Sequence, residues 1–534
     1  VQGRPAGTID EAQPRGRWAL ALALLVGLAW APAIGGDFVW DDINNLVNTD
    51  RLMYPDAFVQ VFRHDAMWSA GKEQGPVATY RPLALASFVL DFQLYGRAAW
   101  GFHLSSVLLH LVVTLLFFTL LTRWVRDVRA AFGLALVWAL HPTAAEAVAW
   151  INGRSEVLAL LFGLCAALAV SRPRLGPLHY LAAWAGMTLA LLGKETGGIL
   201  VPVAVWLAGE ADGRAGQGPP WRRVHWPMVG VGVLAILTYG YLRHQAITGG
   251  AIAGTGNAVQ AIPALPAVWA RALQAFLLPV ERSVGHLHHW LVALPTAEAI
   301  AYGVAAALMF AVIAGAWWKG ERVGAVALLW WLGSLVPVSL VVVKNWPGLY
   351  RWLYIGSPGL VLAAWRLALH RAPPRRVFVG LAVAGVLCLV QVQRTIATWR
   401  TDGSLWMAMV EEQPDEPYGY IGLGRYLLQN GDRELAHTVL QKAIDLGPQR
   451  PEPYFLQAAL YTEIGRCHDA WKVVAGHVKL EAIPPDLLGR VARCYDLTGN
   501  REAALYHYGL CAATFPPCAV RLAAIQQGDP VGAP

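Results

Sequence analysis

The stretch RWALALALLVGLAWAPAIGGDFVWDDINN, residues 17–45, joins an apolar run to two adjacent carboxylates, Asp41 and Asp42. The apolar part, residues 17–36, is long enough to cross a hydrocarbon core of roughly 30 Å as a helix. The two acids follow where such a helix would leave the bilayer. They either cap an interfacial helix in solvent or belong to a polar site at the membrane surface, and the remaining sequence decides between these alternatives.

The composition is that of a polytopic membrane protein. Of 534 residues, 56% are hydrophobic and only 14% are charged, and the mean hydropathy is +0.42. Soluble proteins carry about 25% charged residues. The net charge of +7 does not indicate a nucleic-acid partner, because the basic residues fall in short clusters between apolar runs, as the positive-inside rule describes.

Apolar runs predict about 11 crossings. The first could be a signal peptide by itself, but the many runs that follow favour a retained span. A further run, 263–295, is interpreted as interfacial or re-entrant, because a crossing there would move Lys319 and Arg322 to the external side. The predicted spans lie near 17–36, 103–122, 129–141, 156–170, 178–193, 197–209, 226–242, 298–317, 323–343, 352–369 and 377–393.

This threading places a short tail, residues 1–16, in the cytoplasm and the C-terminus outside. The basic clusters then share the cytoplasmic side. They are Arg123/Arg126/Arg129, Arg172/Arg174, Arg222/Arg223, Lys319/Arg322 and Arg371/Arg375/Arg376.

The polar segments collect on the external side. They are the first loop (37–102), HPTAAEAVAWINGRSE (141–156), GKETG (193–197) and NWPGLYRWLY (345–354). Charged residues at membrane depth are costly and usually face a cavity or one another. Four segments that bring acids, His, Arg and Lys to one face therefore favour a shared polar site over a simple helix cap.

A helical repeat follows the membrane domain (17–393), in residues 394–534. Gly431, Gly465 and Gly499 recur every 34 residues, as do Ala436, Ala470 and Ala504. This is the period of a tetratricopeptide repeat (TPR), a solenoid whose concave surface usually binds a polypeptide. An extracytoplasmic location would be oxidising, so we predict the disulfides Cys467–Cys494 and Cys511–Cys518. The alternative is four buried thiols.

The ordered motifs resemble one enzyme family. FVWDD, YRPL (80–83), GFHLSSVLLH (101–110), HPTAAEAVAWINGRSE, GKETG and RWLYIGSPG (351–359), followed by repeats, are similar to the transmembrane and tetratricopeptide-repeat (TMTC) O-mannosyltransferases and their bacterial relatives. The resemblance implies a GT-C fold and transfer of a sugar from a polyprenyl-phosphate carrier to Ser or Thr of a protein. It also implies that no metal or other cofactor is required. The short repeat array and the Ala/Arg-rich composition favour a bacterial inner membrane, with the site and the repeats in the periplasm.

The predicted chemistry needs a base and cations. A carboxylate activates the acceptor hydroxyl as the sugar is transferred with inversion, and cations stabilise the departing phosphate. The resemblance makes Asp41 the base and Asp42 its orienting partner, with the two roles exchangeable. Candidate phosphate ligands are Arg154, Lys194, Arg351 and Arg81.

Each candidate cation also has a structural alternative. Arg154 could pair with Glu156 or Glu146, Lys194 with Glu195, and Arg81 with Asp91, while Arg351 could anchor at the interface.

Three further groups are less specific. His141, Glu146 and Glu195 are candidates to line the site, although His141 could merely end a span before Pro142. The motif HLHHW (286–290) admits a metal, but clustered His near an interface more often anchors there, so no metal site is predicted. Cys165 and Cys388 lie within spans and are interpreted as packing residues.

Other functions remain open at this point. An O-oligosaccharyltransferase that uses a diphosphate carrier would also need external Arg and His. A non-enzymatic scaffold explains the repeats but not the converging polar motifs. A transporter would carry its charges mid-span, whereas these lie at span ends.

Overall fold

The computed structural model describes residues 15–71, 79–125, 127–214, 225–247, 265–278, 296–342 and 350–532. Within these ranges the regular structure is helical and no strand occurs. The chain divides into two compact units, Val1–Thr401 and Asp402–Pro534. The predicted all-α class is confirmed, and the apolar helices of the first unit identify a polytopic membrane protein.

The first unit is a bundle of helices, most of them long. In chain order they are α1 (Arg15–Trp30), α2 (Pro82–Tyr95), α3 (Ala99–Trp124), α4 (Val128–Ala139), α5 (Arg154–Val170), α6 (Pro177–Gly193), α7 (Leu200–Arg214), α8 (Trp226–Ala246), α9 (Leu265–Leu277), α10 (Thr296–Trp318), α11 (Arg322–Val342), α12 (Tyr350–Leu367) and α13 (Pro374–Thr398).

A helix lies over each of the eleven predicted spans, but fewer meet the requirements for crossing. Within the described ranges, six helices are long and apolar enough to span a bilayer, or up to seven if one bent pair is a single span. The helices that do not qualify, α6, α7, α8 and α11, are shorter or less apolar. Within these ranges, length and hydropathy therefore support six or seven crossings, and the count of about 11 stays a prediction.

The outer helices present apolar side chains on the surface. On α10, Leu308 is 63% exposed, and on α13 Val383 and Leu387 are exposed as well. Contiguous exposed apolar surface of this kind is unfavourable in water and is expected where a helix faces lipid.

Polar side chains inside the bundle are satisfied by neighbouring helices. His110 Nδ1 of α3 lies 2.7 Å from the Tyr354 hydroxyl of α12. Trp30 Nε1 of α1 donates to the Ala139 carbonyl of α4 over 3.0 Å, and Trp138 Nε1 donates to Ser357 Oγ over 2.9 Å. Because unsatisfied polar groups are costly in hydrocarbon, these bonds fix how α1, α3, α4 and α12 pack.

A break after α4 turns the chain toward the site. α4 and the segment Pro142–Val148 meet at 53°, and Pro142 accounts for the break because it cannot continue the helical hydrogen bonds. The chain then folds back tightly before α5. A Cβ at Gly153 would lie 2.3 Å from the Glu146 carbonyl oxygen, so only glycine permits this approach.

Several predictions fall wholly or partly outside the described residues. Of the 263–295 segment, the structure describes α9, a 13-residue helix that packs on α10 and α11 and is too short to cross alone. The tail residues 1–14, Arg126, Arg222, Arg223, HLHHW and residues 345–349 are not among the described residues.

The second unit is built from consecutive antiparallel helices. They are α14 (Asp402–Glu412), α15 (Pro417–Gln429), α16 (Arg433–Leu446), α17 (Glu452–Glu463), α18 (Cys467–Ala475), α19 (Pro485–Leu497), α20 (Arg501–Cys511) and α21 (Pro516–Gln526).

The period of 34 residues has a structural basis in this unit. Gly431, Gly465 and Gly499 have φ values of 81°, 75° and 80°, and each lies in the turn between the two helices of a pair. This left-handed conformation strongly favours glycine. The alanines at the second recurring position are completely buried where paired helices meet. The TPR assignment itself stays a prediction.

Both predicted cysteine pairs are brought together in this unit. Cys467 and Cys494 are joined with a Cα–Cα distance of 5.5 Å, and Cys511 and Cys518 with 5.8 Å. These distances lie within the range that a disulfide requires. Cys165 and Cys388 of the first unit are free thiols.

We expect the four cysteines of the second unit to resist alkylation until the protein is reduced. Intact mass spectrometry of the denatured, unreduced protein should show at most two modified thiols, from Cys165 and Cys388. After reduction it should show six. Four or more modified thiols before reduction, in protein prepared from an oxidising compartment, would contradict the two disulfides.

Candidate active site at the end of the helix bundle

The first loop places its two acids in different environments. Asp42 is completely buried, whereas Asp41 is half-buried. The Oδ1 atom of Asp42 accepts hydrogen bonds from Asn152, over 3.0 Å from the backbone N–H and 2.6 Å from the side-chain amide. Its Oδ2 accepts from the backbone N–H of Val39 over 3.2 Å. Asp42 therefore ties the first loop to the turn that precedes α5.

Burial raises the pKa of Asp42 to about 8, although its hydrogen bonds favour the ionised form. A buried carboxyl whose two oxygens are already engaged is suited to hold the loop in position. Asp41 is the less buried of the two acids.

The backbone around the acids is unusual. Trp40 has φ 55°, a strained value for a residue with a side chain. A π-helical turn, Ile43–Val47, follows immediately and is closed by the bond from the Asn48 N–H to the Ile43 carbonyl over 2.8 Å. Strain and π-helical turns both concentrate at functional sites. Together they aim consecutive side chains of the FVWDD segment into the protein.

Three tryptophans form a stack beside the acids. The Trp40 and Trp150 rings lie 5.2 Å apart and nearly parallel, and Trp399 lies 5.7 Å from Trp150. The Arg351 guanidinium lies 4.7 Å from the centre of the Trp150 ring. Arg351 Nη1 also contacts Glu146 Oε1 at 2.9 Å, and the Arg351 backbone N–H donates to Glu146 Oε2 over 3.1 Å. Arg351 is thus fixed by both an acid and a cation–π contact.

Two further ion pairs connect the third polar segment, one to the second segment and one to the first. Lys194 pairs with Glu156 of α5, and both are almost completely buried. Arg81 holds Glu195 through two bonds, 2.6 Å from Nη2 and 3.1 Å from Nε, and both side chains are partly exposed.

These pairs interact with one another electrostatically. Burial lowers the pKa of Lys194 to about 8, Glu156 opposes this effect, and Arg81 and Arg351 add to it. Six side chains take part, and we call them the ion-pair cluster; they are Arg81, Glu146, Glu156, Lys194, Glu195 and Arg351. All of them except Glu156 are candidate phosphate-binding or site-lining residues, so the cluster brings most of those candidates together.

Arg154 is placed differently. Its side chain is completely buried and contacts Asp91 Oδ2 at 2.6 Å. Its nitrogens also donate to Ser106 Oγ, to Ser87 Oγ and to the Phe102 carbonyl. All of its nitrogens are therefore engaged where α2, α3 and α5 pack together, and we call these three helices the wall of the bundle.

The alternative partners expected from the sequence are wrong for all three of Arg154, Lys194 and Arg81. Arg154 pairs with Asp91 rather than with Glu156 or Glu146, Lys194 with Glu156 rather than Glu195, and Arg81 with Glu195. Arg81 cannot reach Asp91, because a helix rises about 1.5 Å per residue and α2 separates the two by more than two turns.

His141 has a local role in the structure. Its Nδ1 accepts from the Thr143 N–H over 3.3 Å, so it caps the turn after Pro142. Its Nε2 lies 2.8 Å from the Phe276 carbonyl, and its ring stacks on Phe276 at 4.1 Å. It links α9 to the break after α4.

Sequence reasoning missed the residues that support the acids. Asn152 and the tryptophans at 40, 150 and 399 were passed over, because Trp near a span end is commonly an interfacial anchor. A usable signal was present, since each tryptophan adjoins a polar residue of a motif: WDD, WING and WRTD.

The described residues contain no group of three or more His, Cys, Asp or Glu side chains placed to hold a metal ion. The absence of a metal requirement stays a prediction.

Fold and site thus define an all-α integral membrane protein with a dense polar cluster at one end of its helix bundle. No protein-family model matches the chain. A protein O-mannosyl-transferase of Caenorhabditis elegans is 30% identical over 190 residues, which cover 34% of this chain and 27% of that protein. The human protein O-mannosyl-transferase TMTC1 is 35% identical over 196 residues, covering 33% and 22%. Drosophila melanogaster Tmtc2, also a protein O-mannosyl-transferase, is 29% identical over 256 residues, covering 46% and 27%.

The predicted resemblance to the TMTC O-mannosyltransferases is confirmed by these matches. They span about a quarter of the length of those relatives. Two crystal structures of ArnT from Cupriavidus metallidurans, one bound to undecaprenyl phosphate and one in the apo state, have TM-scores of 0.39 and 0.36 and identities of 18% and 17%. Each covers 85% of this chain and 80% of that chain.

Proposed function

We propose that this protein is a GT-C-type glycosyltransferase. It transfers a sugar, of the mannose type, from a polyprenyl-phosphate carrier to a Ser or Thr hydroxyl of an acceptor protein. The catalytic end of the bundle and the repeat unit lie on the periplasmic side of a bacterial inner membrane, and the repeats bind the acceptor. The sequence similarity to protein O-mannosyltransferases supports the reaction class.

One observation carries the proposal: the acids at the exit of α1 share one end of the bundle with cations from distant segments. Asp42 is bonded to Asn152, which lies next to Gly153 and α5. Trp40, two residues before Asp42, stacks on Trp150. The Trp150 ring also makes a cation–π contact with the Arg351 guanidinium. A base and a phosphate-binding group within one site are what displacement of a phosphate from a sugar requires.

In the proposed reaction the acceptor hydroxyl oxygen attacks the anomeric carbon as the bond from that carbon to the phosphate oxygen breaks. Asp41 takes the hydroxyl proton, and the carrier leaves as its phosphate. The products are the glycosylated protein and the polyprenyl phosphate, and the attack inverts the anomeric centre. Asp42 keeps the first loop anchored to Asn152, so that Asp41 stays in position during the displacement.

The ion-pair cluster supplies the phosphate site. Arg81 is the most accessible of its cations, because its side chain is 29% exposed and that of its partner Glu195 is 39% exposed. An incoming phosphate can compete with Glu195 for the planar guanidinium. Lys194 and Arg351 are buried, and each is paired with a glutamate of the cluster. Arg154 acts as a positioning residue in the wall.

We expect Arg81→Ala to weaken binding of a polyprenyl-phosphate sugar about tenfold or more, because a charged hydrogen bond to phosphate is lost. The measurement is KM for the donor, or binding of a labelled donor to the purified protein. Arg97→Ala is the matched control, since Arg97 forms a more exposed ion pair with Asp50.

The double variant Arg81→Ala/Glu195→Ala separates the two roles of Arg81. If Arg81 binds phosphate, the double variant binds donor as weakly as Arg81→Ala. If Arg81 only neutralises Glu195, removal of both charges restores donor binding, and the phosphate assignment is then wrong.

The proposed sidedness agrees with the distribution of basic residues. Arg123, at the end of α3, donates to the Leu168 and Ser171 carbonyls at the end of α5. That end of α5 is opposite to Asn152 and Arg154, so Arg123 and the acids lie at opposite ends of this helix. By the positive-inside rule the acids are external.

The reaction is tested with the purified full chain in lipid nanodiscs, a radiolabelled polyprenyl-phosphate mannose and periplasmic extract. Label in protein that is released by β-elimination supports O-glycosylation of Ser or Thr. Transfer only from a diphosphate-linked oligosaccharide would indicate the ligase alternative. If the folded protein neither binds any of these lipid-linked sugars nor transfers sugar from them, the glycosyltransferase assignment is excluded.

A further inference from the structure

The second unit contains a cleft that the proposed reaction does not use. It has a volume of about 490 Å³ and lies within the last helices of the unit. Arg490 and Arg493 of α19 line it, together with Arg521 of α21. We call it the arginine cleft.

The positive charge of the arginine cleft is only partly neutralised. Arg521 is bound by Asp496, through Nε to Oδ2 at 2.7 Å and Nη2 to Oδ1 at 3.2 Å. Asp496 also accepts from the Tyr508 hydroxyl and from the Gly532 N–H, so its oxygens are fully occupied. Asp496 is therefore not available to Arg490 or Arg493.

Arg490 and Arg493 are exposed and have no ion-pair partner among the described residues. They stand three residues apart on α19, so their side chains share one face of the helix. The one other acid that lines the arginine cleft is Asp486, which leaves a net positive charge. Two neighbouring guanidinium groups directed into a cleft match the geometry of carboxylates.

The rest of the lining is apolar and well fixed. Leu497, Phe515 and Pro517 contribute apolar surface beside the arginines. The wall formed by α21 is held against α19: a Cβ at Gly489 would lie 3.1 Å from Cys518 Sγ and 3.2 Å from the Phe515 ring. A preformed cleft of this kind loses little entropy when it binds a ligand.

We infer that the arginine cleft binds an acidic polypeptide segment that contains an apolar residue, and that this segment belongs to the acceptor protein. The inference rests on the proposed function for the identity of the partner, whereas the chemistry of the ligand follows from the cleft. Arg490 and Arg493 bind its carboxylates, and Leu497 and Phe515 contact its apolar side chain. The acceptor is thereby selected by charge at a place separate from the reacting hydroxyl.

The test is a binding measurement that does not depend on catalysis. The full chain in nanodiscs is titrated against a short fluorescein-labelled peptide in which glutamates flank a leucine, and fluorescence anisotropy reports binding. Matched peptides carry glutamine or lysine in place of glutamate. We expect saturable binding of the glutamate peptide, at least about tenfold tighter than either control, and weaker at high ionic strength because salt screens exposed charges.

Charge reversal locates the site. Arg490→Glu/Arg493→Glu should reduce affinity about tenfold or more. Lys442→Glu/Lys472→Glu is the matched control, because it makes the same change in net charge at exposed positions of α16 and α18. Equal affinities in the two double variants would overturn the inference. Thermal melts of both variants confirm that each is folded.

Other anionic occupants are also outcomes of the test. Direct binding of phosphatidylglycerol vesicles or of an oligonucleotide, with no binding of the glutamate peptide, would overturn the inference. If the wild-type chain transfers sugar to a generic acceptor but does not bind the glutamate peptide, only the arginine cleft as an acceptor site is contradicted. Peptide binding without any sugar transfer would leave the cleft intact and contradict the proposed reaction.

Discussion

Replacing Asp41 by Asn should abolish sugar transfer while the protein remains folded. A positioned general base contributes about a hundredfold to ten-thousandfold to a rate, and an amide of the same shape cannot accept the proton. Asp41 is half-buried, and Asn has nearly the same shape as Asp, so the exchange should leave the packing of the loop unchanged. The measurement is the initial rate of transfer at saturating donor, with the melting temperature of the same preparation.

Two control variants define what this loss means. Asp56→Asn changes an exposed acid of the same loop and should transfer sugar at the wild-type rate. Asp42→Asn should lower both the rate and the melting temperature, because its amide group would face the donating N–H of Val39. A wild-type rate in Asp41→Asn would exclude Asp41 as the base. A lost rate with unchanged stability in Asp42→Asn would instead exchange the two roles.

The general location of the site follows from the sequence, but its pairing does not. Apolar runs and basic clusters predict which loops face the same side, and this is enough to group FVWDD, the HPTAAE segment and GKETG. Which acid meets which cation depends on helix packing. Lys194 and Glu195 are adjacent in the chain, yet Lys194 contacts Glu156 of α5 and Glu195 contacts Arg81. Neighbours in an extended or 3₁₀ segment point in different directions, and sequence spacing does not record which helix lies opposite.

The sequence does not predict the aromatic part of the site, for a related reason. Trp40, Trp150 and Trp399 come from the two ends of the first unit and from its middle, and nothing in their spacing predicts that they stack. Tryptophan at span ends is common, so its presence there does not by itself indicate a functional site. The structure distinguishes these three because Trp40 adopts φ 55° and Arg351 lies over the Trp150 ring. A strained backbone and a cation–π contact are properties of the folded chain alone.

The Arg154–Asp91 pair should be the most destabilising ion pair to break. Both side chains are buried, and Asp91 also accepts a hydrogen bond from Ser105 Oγ over 2.7 Å. Arg154→Met leaves a buried carboxylate without its cation, which costs about 3–5 kcal/mol in buried pairs. We expect a large fall in the melting temperature of the solubilised protein. The measurement is fluorescence-detected size-exclusion chromatography of samples heated to a series of temperatures.

Removing both charges distinguishes a pair that holds the wall from a cation that serves the substrate. Arg154→Met/Asp91→Leu should recover much of the stability, because an ion pair replaced by apolar residues no longer leaves a charge uncompensated. Recovery should be incomplete, since Ser106 Oγ and the Phe102 carbonyl lose their donor. The exposed pair Arg97–Asp50 is the matched control, and Arg97→Met should shift stability by at most about 1 kcal/mol. If the doubly substituted protein is stable and folded but does not bind donor, Arg154 contributes its charge to the phosphate site after all. If the doubly substituted protein is stable and binds donor normally, the charge of Arg154 acts within the wall, and the phosphate is bound by the ion-pair cluster alone.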